Sequence, residues 1–268
     1  MKSVVITGAS GGMGIATVKK LTQQGYKVFG LDIKKPTLEI ENFTYIKTDI
    51  REEKDVIHAF KIISKETDEL DAIISTAGLY DMNSLVEMSE EDFINIFNIN
   101  VFGIYRVNKT FLPLLKEQGK VIMVSSELAP LNPLPFTGLY GITKSTVEKY
   151  AYSLRMELQL LNKQVILIRP GAVETSFIEL SNERIKNFTE NTELYSYNAH
   201  RFMKIINSVE TKNVAPEKVA NIVEKILNKK KPKYVYKLNR NFGLLCLNAL
   251  PKRTQNWIIK KILIGRKK

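Results

Sequence analysis

Short apolar runs alternate with helical patterns from residue 3 to residue 228, and this alternation restricts the possible folds more than any other feature of the chain. Each run has the composition and the length of a buried strand. The runs cover residues 3–7, 26–32, 43–49, 71–76, 120–126 and 164–170. Continuously apolar strands that alternate with helices are typical of a parallel sheet with helices on both faces. We therefore predict an α/β fold with a doubly wound parallel sheet.

The segments between the runs carry apolar residues at intervals of three and four, which predicts helices. The stripe of one long helix is expected to comprise Phe97, Val101, Ile104, Phe111 and Leu115. The stripe of the helix after it is expected to comprise Val147, Ala151, Leu154, Leu158 and Leu161. Residues 177–213 lack a clear period and interrupt the alternation, so we expect a lid or a binding loop there.

Positive charge is concentrated at the end of the chain. Residues 229–268 contain 13 of the 40 Lys and Arg residues and no Asp or Glu, whereas residues 1–228 are close to neutral. We therefore divide the chain into a domain of residues 1–228 and a basic, partly amphipathic extension of residues 229–268. No apolar run approaches the roughly 18 residues of a membrane span, and the strand-like start leaves no room for a signal peptide. We expect a cytoplasmic protein, and two histidines with one cysteine do not suggest a metal site.

The extension has the pattern of a basic amphipathic helix. Between Pro251 and Ile264, Trp257 and several apolar residues stand beside Lys260 and Lys261. Such a helix suits the surface of an anionic membrane, which would make the protein peripheral to it. Packing on the domain or on a second copy of the chain, and contact with an acidic carrier protein, remain open. A nucleic-acid partner is not indicated, because the extension contains no recognisable nucleic-acid-binding module.

Four glycines lie where the first strand gives way to the first helix, in the stretch TGASGGMG (7–14). Gly8, Gly12 and Gly14 would let a pyrophosphate approach the backbone at a helix N-terminus, which favours negative charge. Asp32, at the end of the second strand, can accept hydrogen bonds from a ribose 2′-hydroxyl and would repel a 2′-phosphate. Either feature alone would also fit a tight turn and a solvated aspartate. Together they predict a dinucleotide site.

The glycine turn resembles the cofactor loop of the short-chain dehydrogenase/reductase family. The later motifs of that family follow in order as TAG (76–78), NVFG (100–103), VSS (124–126), YGITK (140–144) and PGAVET (170–175). The resemblance covers about residues 3–228 and implies a Rossmann-type oxidoreductase with NAD or NADP. Members that prefer NADP usually carry a basic residue where this chain has Gly11 and Ile33, so we expect NAD. The nearby Lys34 and Lys35 leave NADP open.

The resemblance also implies a set of cofactor contacts. They comprise Thr7, Gly8, Ser10, Gly12, Met13, Gly14, Asp32, Asp49, Ile50, Ala77, Gly78, Tyr140, Lys144, Pro170, Gly171, Val173 and Thr175. Asp49 would lie near the adenine and Thr175 near the nicotinamide carboxamide.

Tyr140 and Lys144 are four residues apart at the start of a predicted helix and so share one face. A phenol with a pKa of about 10 is a poor base near neutrality, and a lysine ammonium about 4 Å away would lower that pKa. The resemblance implies that Tyr140 is the general acid/base, that Lys144 also binds the nicotinamide ribose, that Ser126 holds the substrate oxygen and that Asn100 anchors a water beside Lys144. On the residues alone, the pair would also fit a helix start with an aromatic residue and an exposed lysine.

Two departures from the family pattern are visible. Ser126 and Tyr140 are fourteen residues apart, where thirteen is common, so Ser125 is the alternative to Ser126. We assign the extra residue to the proline-rich loop between them. Thr76 stands where the family usually has asparagine, and we expect its hydroxyl to supply the hydrogen bond of that turn.

The segments expected to line the pocket are apolar, which suits a lipophilic alcohol or ketone of the hydroxysteroid, retinoid or long-chain type. We assign substrate contacts to Ser126, Leu134, Phe136, Tyr140 and Phe177. The same apolar residues could instead belong to the core. A 3-oxoacyl reductase of carrier-bound chains and a catalytically silent NAD-sensing protein are the alternative functions. A homodimer or homotetramer is expected by resemblance.

Overall fold

The computed structural model describes residues 1–37, 39–174, 176–210 and 213–265, without the side chains of 176–182, 184 and 207–210. Seven strands are present in this part of the chain: β1 (Ser3–Thr7), β2 (Lys27–Asp32), β3 (Phe43–Lys47), β4 (Leu70–Ser75), β5 (Leu115–Val124), β6 (Gln164–Pro170) and β7 (Val235–Leu238). They form one parallel sheet in the order β3-β2-β1-β4-β5-β6-β7. The predicted doubly wound α/β fold is confirmed.

Ten α-helices accompany the sheet in the described residues. They are α1 (Gly12–Gln23), α2 (Glu53–Ile63), α3 (Glu90–Phe97), α4 (Ile104–Phe111), α5 (Gly138–Leu158), α6 (Ser176–Asn191), α7 (Ser196–Glu210), α8 (Glu217–Leu227), α9 (Phe242–Ala249) and α10 (Lys252–Ile264). No described helix is both long enough and apolar enough to cross a lipid bilayer.

The two faces of the sheet each bury a core. Alternate residues of β5 show this arrangement, because Val121 and Met123 pack into the cluster under α2, α4 and α5, whereas Ile122 and Val124 pack into the cluster under α1 and α8. Since side chains alternate along a strand, a strand covered on both faces must be apolar throughout. This requirement explains why the strands could be predicted from continuous apolar runs in the sequence.

The predicted single long helix is interrupted. A π-helical turn, Asn98–Gly103, separates α3 from α4, and a 3-10 turn, Leu112–Leu114, follows α4. Pro113 lies in that turn and cannot continue an α-helix, so Leu115 begins β5 instead of ending the helical stripe. Leu161 is also not a core residue: it lies in a 3-10 turn after α5 and is 57% exposed.

The region from 177 to 213 contains the two helices α6 and α7 rather than an irregular loop. With α10 they enclose a third, smaller apolar cluster that includes Met82, Ile185, Phe202 and Leu263. Ser, Thr and Asn are frequent in α6, and such residues favour caps and turns over helix interiors. Packing in the third cluster stabilises these helices where their own sequence pattern is weak.

The sheet extends into the predicted C-terminal extension. β7 pairs with β6 along Val235–Leu238, so part of residues 229–268 completes the main sheet. The division after residue 228 therefore does not coincide with the edge of the sheet. Helices α9 and α10 follow the last strand.

Candidate active site

The turn between β1 and α1 has the backbone geometry that a dinucleotide needs. Gly8 has a φ of +67°, and a Cβ on Gly14 would lie 1.9 Å from the carbonyl oxygen of Gly8. Both positions therefore require glycine. Gly11 is the N-cap of α1 and has no side chain that could cap the helix. The turn fits a pyrophosphate, because the N-terminus of α1, which begins at Gly12, lies beside a bare backbone.

The turns after β1 and β4 are joined side by side. The Thr76 hydroxyl donates to the carbonyl oxygen of Thr7 at 2.7 Å, and the N–H of Ala77 donates to the Thr7 hydroxyl at 3.4 Å. Thr76 thus makes the turn hydrogen bond expected at that position. A Cβ on Gly78 would lie 3.4 Å from the Lys144 ammonium, so this turn also lies against the centre of the site.

Asp32 lies beside the glycine turn. Its carboxylate accepts hydrogen bonds from the N–H of Ser10 at 2.9 Å and from the N–H of Lys34 at 3.0 Å. The side chains of Lys34 and Lys35 are exposed. The carboxylate is therefore held at the end of β2, within the region where the ribose of a dinucleotide is expected.

Asp49 is already engaged by a neighbouring cation. Arg51 forms an ion pair with its carboxylate at 2.7 Å, and the hydrogen bonds from Arg51 lower the pKa of Asp49. Ile50 is buried and packs against Gly103 of the π-helical turn, where a Cβ would lie 2.6 Å from the Ile50 side chain. The predicted adenine contact of Asp49 is thus flanked by an ion pair that sequence reasoning did not include.

The first two turns of α5 carry Tyr140 and Lys144, and both side chains are buried. The hydroxyl of Ser126 lies close enough to that of Tyr140 to act on its pKa, whereas the Ser125 hydroxyl donates to Glu148 at 2.9 Å. The structure thus brings Ser126, not the alternative Ser125, to Tyr140. The edge of Tyr80 packs on the ring of Tyr140, with the ring centroids 4.6 Å apart.

Asn100 joins three elements around this centre. It lies in the π-helical turn, and its amide donates to the carbonyl oxygen of Leu79 at 2.9 Å and to the hydroxyl of Thr143 at 3.1 Å. Its side-chain oxygen accepts from the N–H of Leu79 at 2.7 Å. The side chain therefore fixes the loop after β4 against α5, and its predicted contact with a water beside Lys144 stays a prediction.

Burial decides the protonation of the Tyr140–Lys144 pair. It raises the pKa of Tyr140 to about 12 and lowers the pKa of Lys144 to about 8. The pKa of Tyr140 is thus raised rather than lowered, opposite to the expected direction, because desolvation is its largest cause. The Lys144 ammonium donates to the carbonyl oxygen of Val124 at 3.1 Å and lies 5.7 Å from the Tyr140 ring centroid, while desolvation penalises the phenolate. A phenol in this environment is a proton donor at neutral pH.

An apolar cavity begins at Ser126 and Tyr140. Its other walls are mainly apolar and include Tyr80, Leu128, Leu134, Phe202, Ile205, Ile206 and Leu244. The expected cofactor residues Met13, Gly78, Pro170, Gly171 and Val173 also line it. The contributions of Ile205, Ile206 and Leu244 were not predicted. Ile205 and Ile206 lie on α7, whose sequence shows no clear apolar period, and Leu244 lies on α9, which was assigned to a separate extension.

One predicted substrate residue, Phe136, is not among the described residues that line this cavity. Phe136 packs instead in an aromatic group, with ring centroids 5.0 to 5.4 Å from Phe188, Tyr195 and Phe202. Its φ of +64° turns the proline-rich loop at this point, so that its ring meets α6 and α7. The side chain of Phe177, and the whole of Thr175, lie outside the described residues.

The C-terminal helices are partly packed and partly exposed. Ile259 and Leu263 of α10 join the third apolar cluster, whereas Trp257 on the same helix is 60% exposed. Helix α9 is largely apolar and contains no buried residue. Its Leu244 nevertheless lines the cavity, so α9 lies between the cavity and the surface.

Comparison with known proteins agrees with this fold and these motifs. Residues 2–186 match the family model described as short chain dehydrogenase. The chain is 30% identical to a 3-ketodihydrosphingosine reductase of Bacteroides thetaiotaomicron over 86% of this chain and 85% of that protein. It is 28% identical to a probable short-chain type dehydrogenase/reductase of Helicobacter pylori over 98% of both chains.

A solved structure shares the architecture. The 3-ketoacyl-(acyl-carrier-protein) reductase of Brucella melitensis, solved with NADH, superposes with a TM-score of 0.71 at 21% identity, over 88% of this chain and 95% of that chain. At this identity the likeness concerns the fold. Together with the family match, these findings identify the protein as a member of the short-chain dehydrogenase/reductase family, whose enzymes are NAD(P)-dependent oxidoreductases.

Proposed function

We propose that this enzyme interconverts a long-chain lipophilic ketone and its alcohol, and that it works best as an NADH-dependent reductase. The observation that carries the proposal is the apolar cavity that begins at the neighbouring Ser126 and Tyr140 hydroxyls. An apolar cavity with few polar groups at one end orients a substrate that has one polar, reacting end. The similarity to a protein named for the reduction of 3-ketodihydrosphingosine supports a long-chain ketone over a steroid or a retinoid.

In this proposal the chain's own residues bind and protonate the ketone oxygen. The nicotinamide cofactor, when bound, supplies the hydride for the carbonyl carbon. Tyr140, which burial keeps protonated to a pKa of about 12, donates its hydroxyl proton to the carbonyl oxygen as negative charge develops there. Ser126 donates a second hydrogen bond to the same oxygen. The Lys144 ammonium favours the phenolate that remains on Tyr140.

The preference for NAD over NADP rests on Asp32. Its carboxylate lies where the adenosine ribose is expected and would repel a 2′-phosphate. Gly11 and Ile33 offer no positive charge to offset that repulsion.

The test is a reduction assay of long-chain ketones followed by the absorbance of NADH and of NADPH. We expect turnover with NADH that rises with chain length, and none for Tyr140→Phe, which keeps its affinity for the cofactor. Wild-type activity in Tyr140→Phe would refute the assigned proton donor. No turnover of any long-chain ketone would refute the substrate class.

A carrier-bound 3-oxoacyl chain is the second candidate substrate. The excess of basic residues in 229–268 favours it, because an acidic carrier would be attracted to that region. Reduction of a carrier-bound chain at a much higher kcat/KM than the matched free ketone would select this candidate.

We also propose two larger associations. Phe102 and Tyr105, near and on α4, and Tyr152, Met156 and Leu160, on and after α5, are 45 to 81% exposed and suit a homodimer, which sedimentation would detect. The exposed basic and apolar side of α10 suits an anionic membrane surface.

A further inference from the structure

We infer that Glu127 makes the cavity selective for ketones that carry an amino group a few bonds from the reacting carbonyl. The inference rests on the proposed function and adds the substrate's second polar group. Glu127 directly follows Ser126 and lines the same cavity as Ser126 and Tyr140. Among the described residues that line it, Glu127 is the only acidic one.

One carboxylate oxygen of Glu127 is held in place by the main chain. The N–H of Asn241 donates to Oε2 at 2.6 Å. The other oxygen, Oε1, lies beside Gly171, where a Cβ would come within 2.9 Å of it. Gly171 also lines the cavity, and a Cβ there would lie 2.0 Å from the carbonyl oxygen of Asn239, so Oε1 lies close to the backbone of both residues. The carboxylate is thus fixed at one oxygen, and the half-buried Glu127 side chain lies at the cavity wall.

The negative charge of Glu127 is poorly compensated by the protein. Desolvation raises its pKa, and the opposing effects come from the N–H of Asn241 and the charge of Arg240, whose side chain is exposed. The other charged group of the cavity, the Lys144 ammonium, donates to the carbonyl oxygen of Val124. No ion pair of Glu127 occurs in the described part of the chain. A half-buried carboxylate whose nearest compensating cation, Arg240, is exposed gains from a ligand that brings a second one.

The hydrogen bond from the N–H of Asn241 does not explain why residue 127 carries a negative charge. A neutral amide oxygen would accept the same hydrogen bond without the desolvation cost of a carboxylate. The position beside Ser126 does explain it. When Ser126 and Tyr140 hold the carbonyl oxygen, Glu127 is the neighbouring group that can accept a hydrogen bond from an ammonium on an adjacent carbon.

Glu127→Gln separates the charge from the anchor, because glutamine keeps an oxygen for the N–H of Asn241. The assay compares a long-chain 2-amino-3-ketone with the same ketone without the amine. We expect the wild type to prefer the amino ketone. We expect the kcat/KM of Glu127→Gln for the amino ketone to fall by about tenfold to a hundredfold, because the variant loses a charge-assisted hydrogen bond. Its kcat/KM for the plain ketone should stay unchanged. Glu174→Gln, which removes an exposed acid near the same edge, is the matched control.

Equal losses on both ketones would show that Glu127 only supports the structure, and would overturn the inference. A wild type that reduces both ketones equally would overturn it while leaving the proposed function intact. Failure to reduce either ketone would overturn both. Unfolding of Glu127→Gln and of the wild type at the same denaturant concentration confirms that any selective loss is not a folding defect.

Discussion

Of the two buried residues Tyr140 and Lys144, Lys144 changes its charge nearer to neutral pH. Burial lowers its pKa to about 8, while Tyr140 keeps its proton up to a pKa of about 12. As the pH rises through about 8, Lys144 therefore loses its positive charge before Tyr140 loses its proton. We expect kcat/KM for NADH, which reports the free enzyme, to fall as the pH rises above about 8. A profile that stays flat to pH values well above the Lys144 pKa would contradict this assignment.

Asp32 provides the second prediction at this scale. Asp32→Asn removes the negative charge but keeps an oxygen for one of the two main-chain donors at the end of β2. We expect the ratio of the NADPH to the NADH dissociation constant to fall by about tenfold or more, because a 2′-phosphate no longer meets a carboxylate. Asp68→Asn, which removes an exposed carboxylate elsewhere, should leave the ratio unchanged. An unchanged ratio in Asp32→Asn would place the discrimination on other residues.

Residue identities could be predicted from motifs, but their surroundings could not. Tyr140 and Lys144 were predicted from the resemblance of their motifs to the family, whereas the direction of their pKa shifts depends on how far the loops and α7 exclude water. The choice between Ser125 and Ser126 needed the side-chain directions, since Glu148 binds Ser125. Glu127 carries no motif, and only its place in the cavity distinguishes it from an ordinary loop glutamate.

At the level of elements, the β1–α1 turn is the connection least able to accept a side chain. Gly14→Ala would place a methyl group 1.9 Å from the carbonyl oxygen of Gly8, so the turn must shift. We expect a loss of roughly 1–3 kcal/mol in the free energy of unfolding, together with loss of NADH binding measured by fluorescence. Gly141→Ala is the matched control, because open space surrounds that helical position. It should be neutral or stabilising by up to about 1 kcal/mol.

Comparable stability and NADH affinity in Gly14→Ala and Gly141→Ala would contradict the close approach of the two backbones. If Gly14→Ala loses NADH affinity but unfolds like the wild type, the β1–α1 turn matters for cofactor binding and not for stability.

Sequence patterns predict best the strands that are buried on both faces of the sheet. Five of the six predicted strands lie inside the sheet, and β3 forms one of its edges. The predicted ends lie within two residues of those observed, except that β5 begins at Leu115 rather than at Lys120. Strand β7 is shorter and only partly buried, and α6 and α7 owe their stability to the third cluster. Their formation depends on partners distant in the chain, which a local pattern does not contain.

At the scale of the whole molecule, charge and exposed apolar groups coincide on the C-terminal helices. Trp257, Ile262 and Ile264 are 60%, 43% and 41% exposed, and Lys260 and Lys261 lie among them. Packing of Ile259 and Leu263 on the third cluster fixes α10 to the domain without covering this side. Helix α9, which borders the cavity through Leu244, lies next in the chain. A membrane that binds α10 would therefore meet the enzyme close to the wall of its apolar cavity.

The membrane contact predicts a charge-dependent binding of lipid vesicles. We expect the protein to sediment with vesicles that contain phosphatidylglycerol and not with vesicles of phosphatidylcholine alone. Lys260→Glu with Lys261→Glu should weaken this binding by about tenfold or more, since each basic residue near the surface contributes about 1 kcal/mol. Lys61→Glu with Lys65→Glu on and next to α2 makes the same change in net charge at two exposed positions and should bind like the wild type. Equal binding by the two double variants would mean that net charge, not α10, attracts the vesicles, and the exposed side of α10 would then be free to serve another partner.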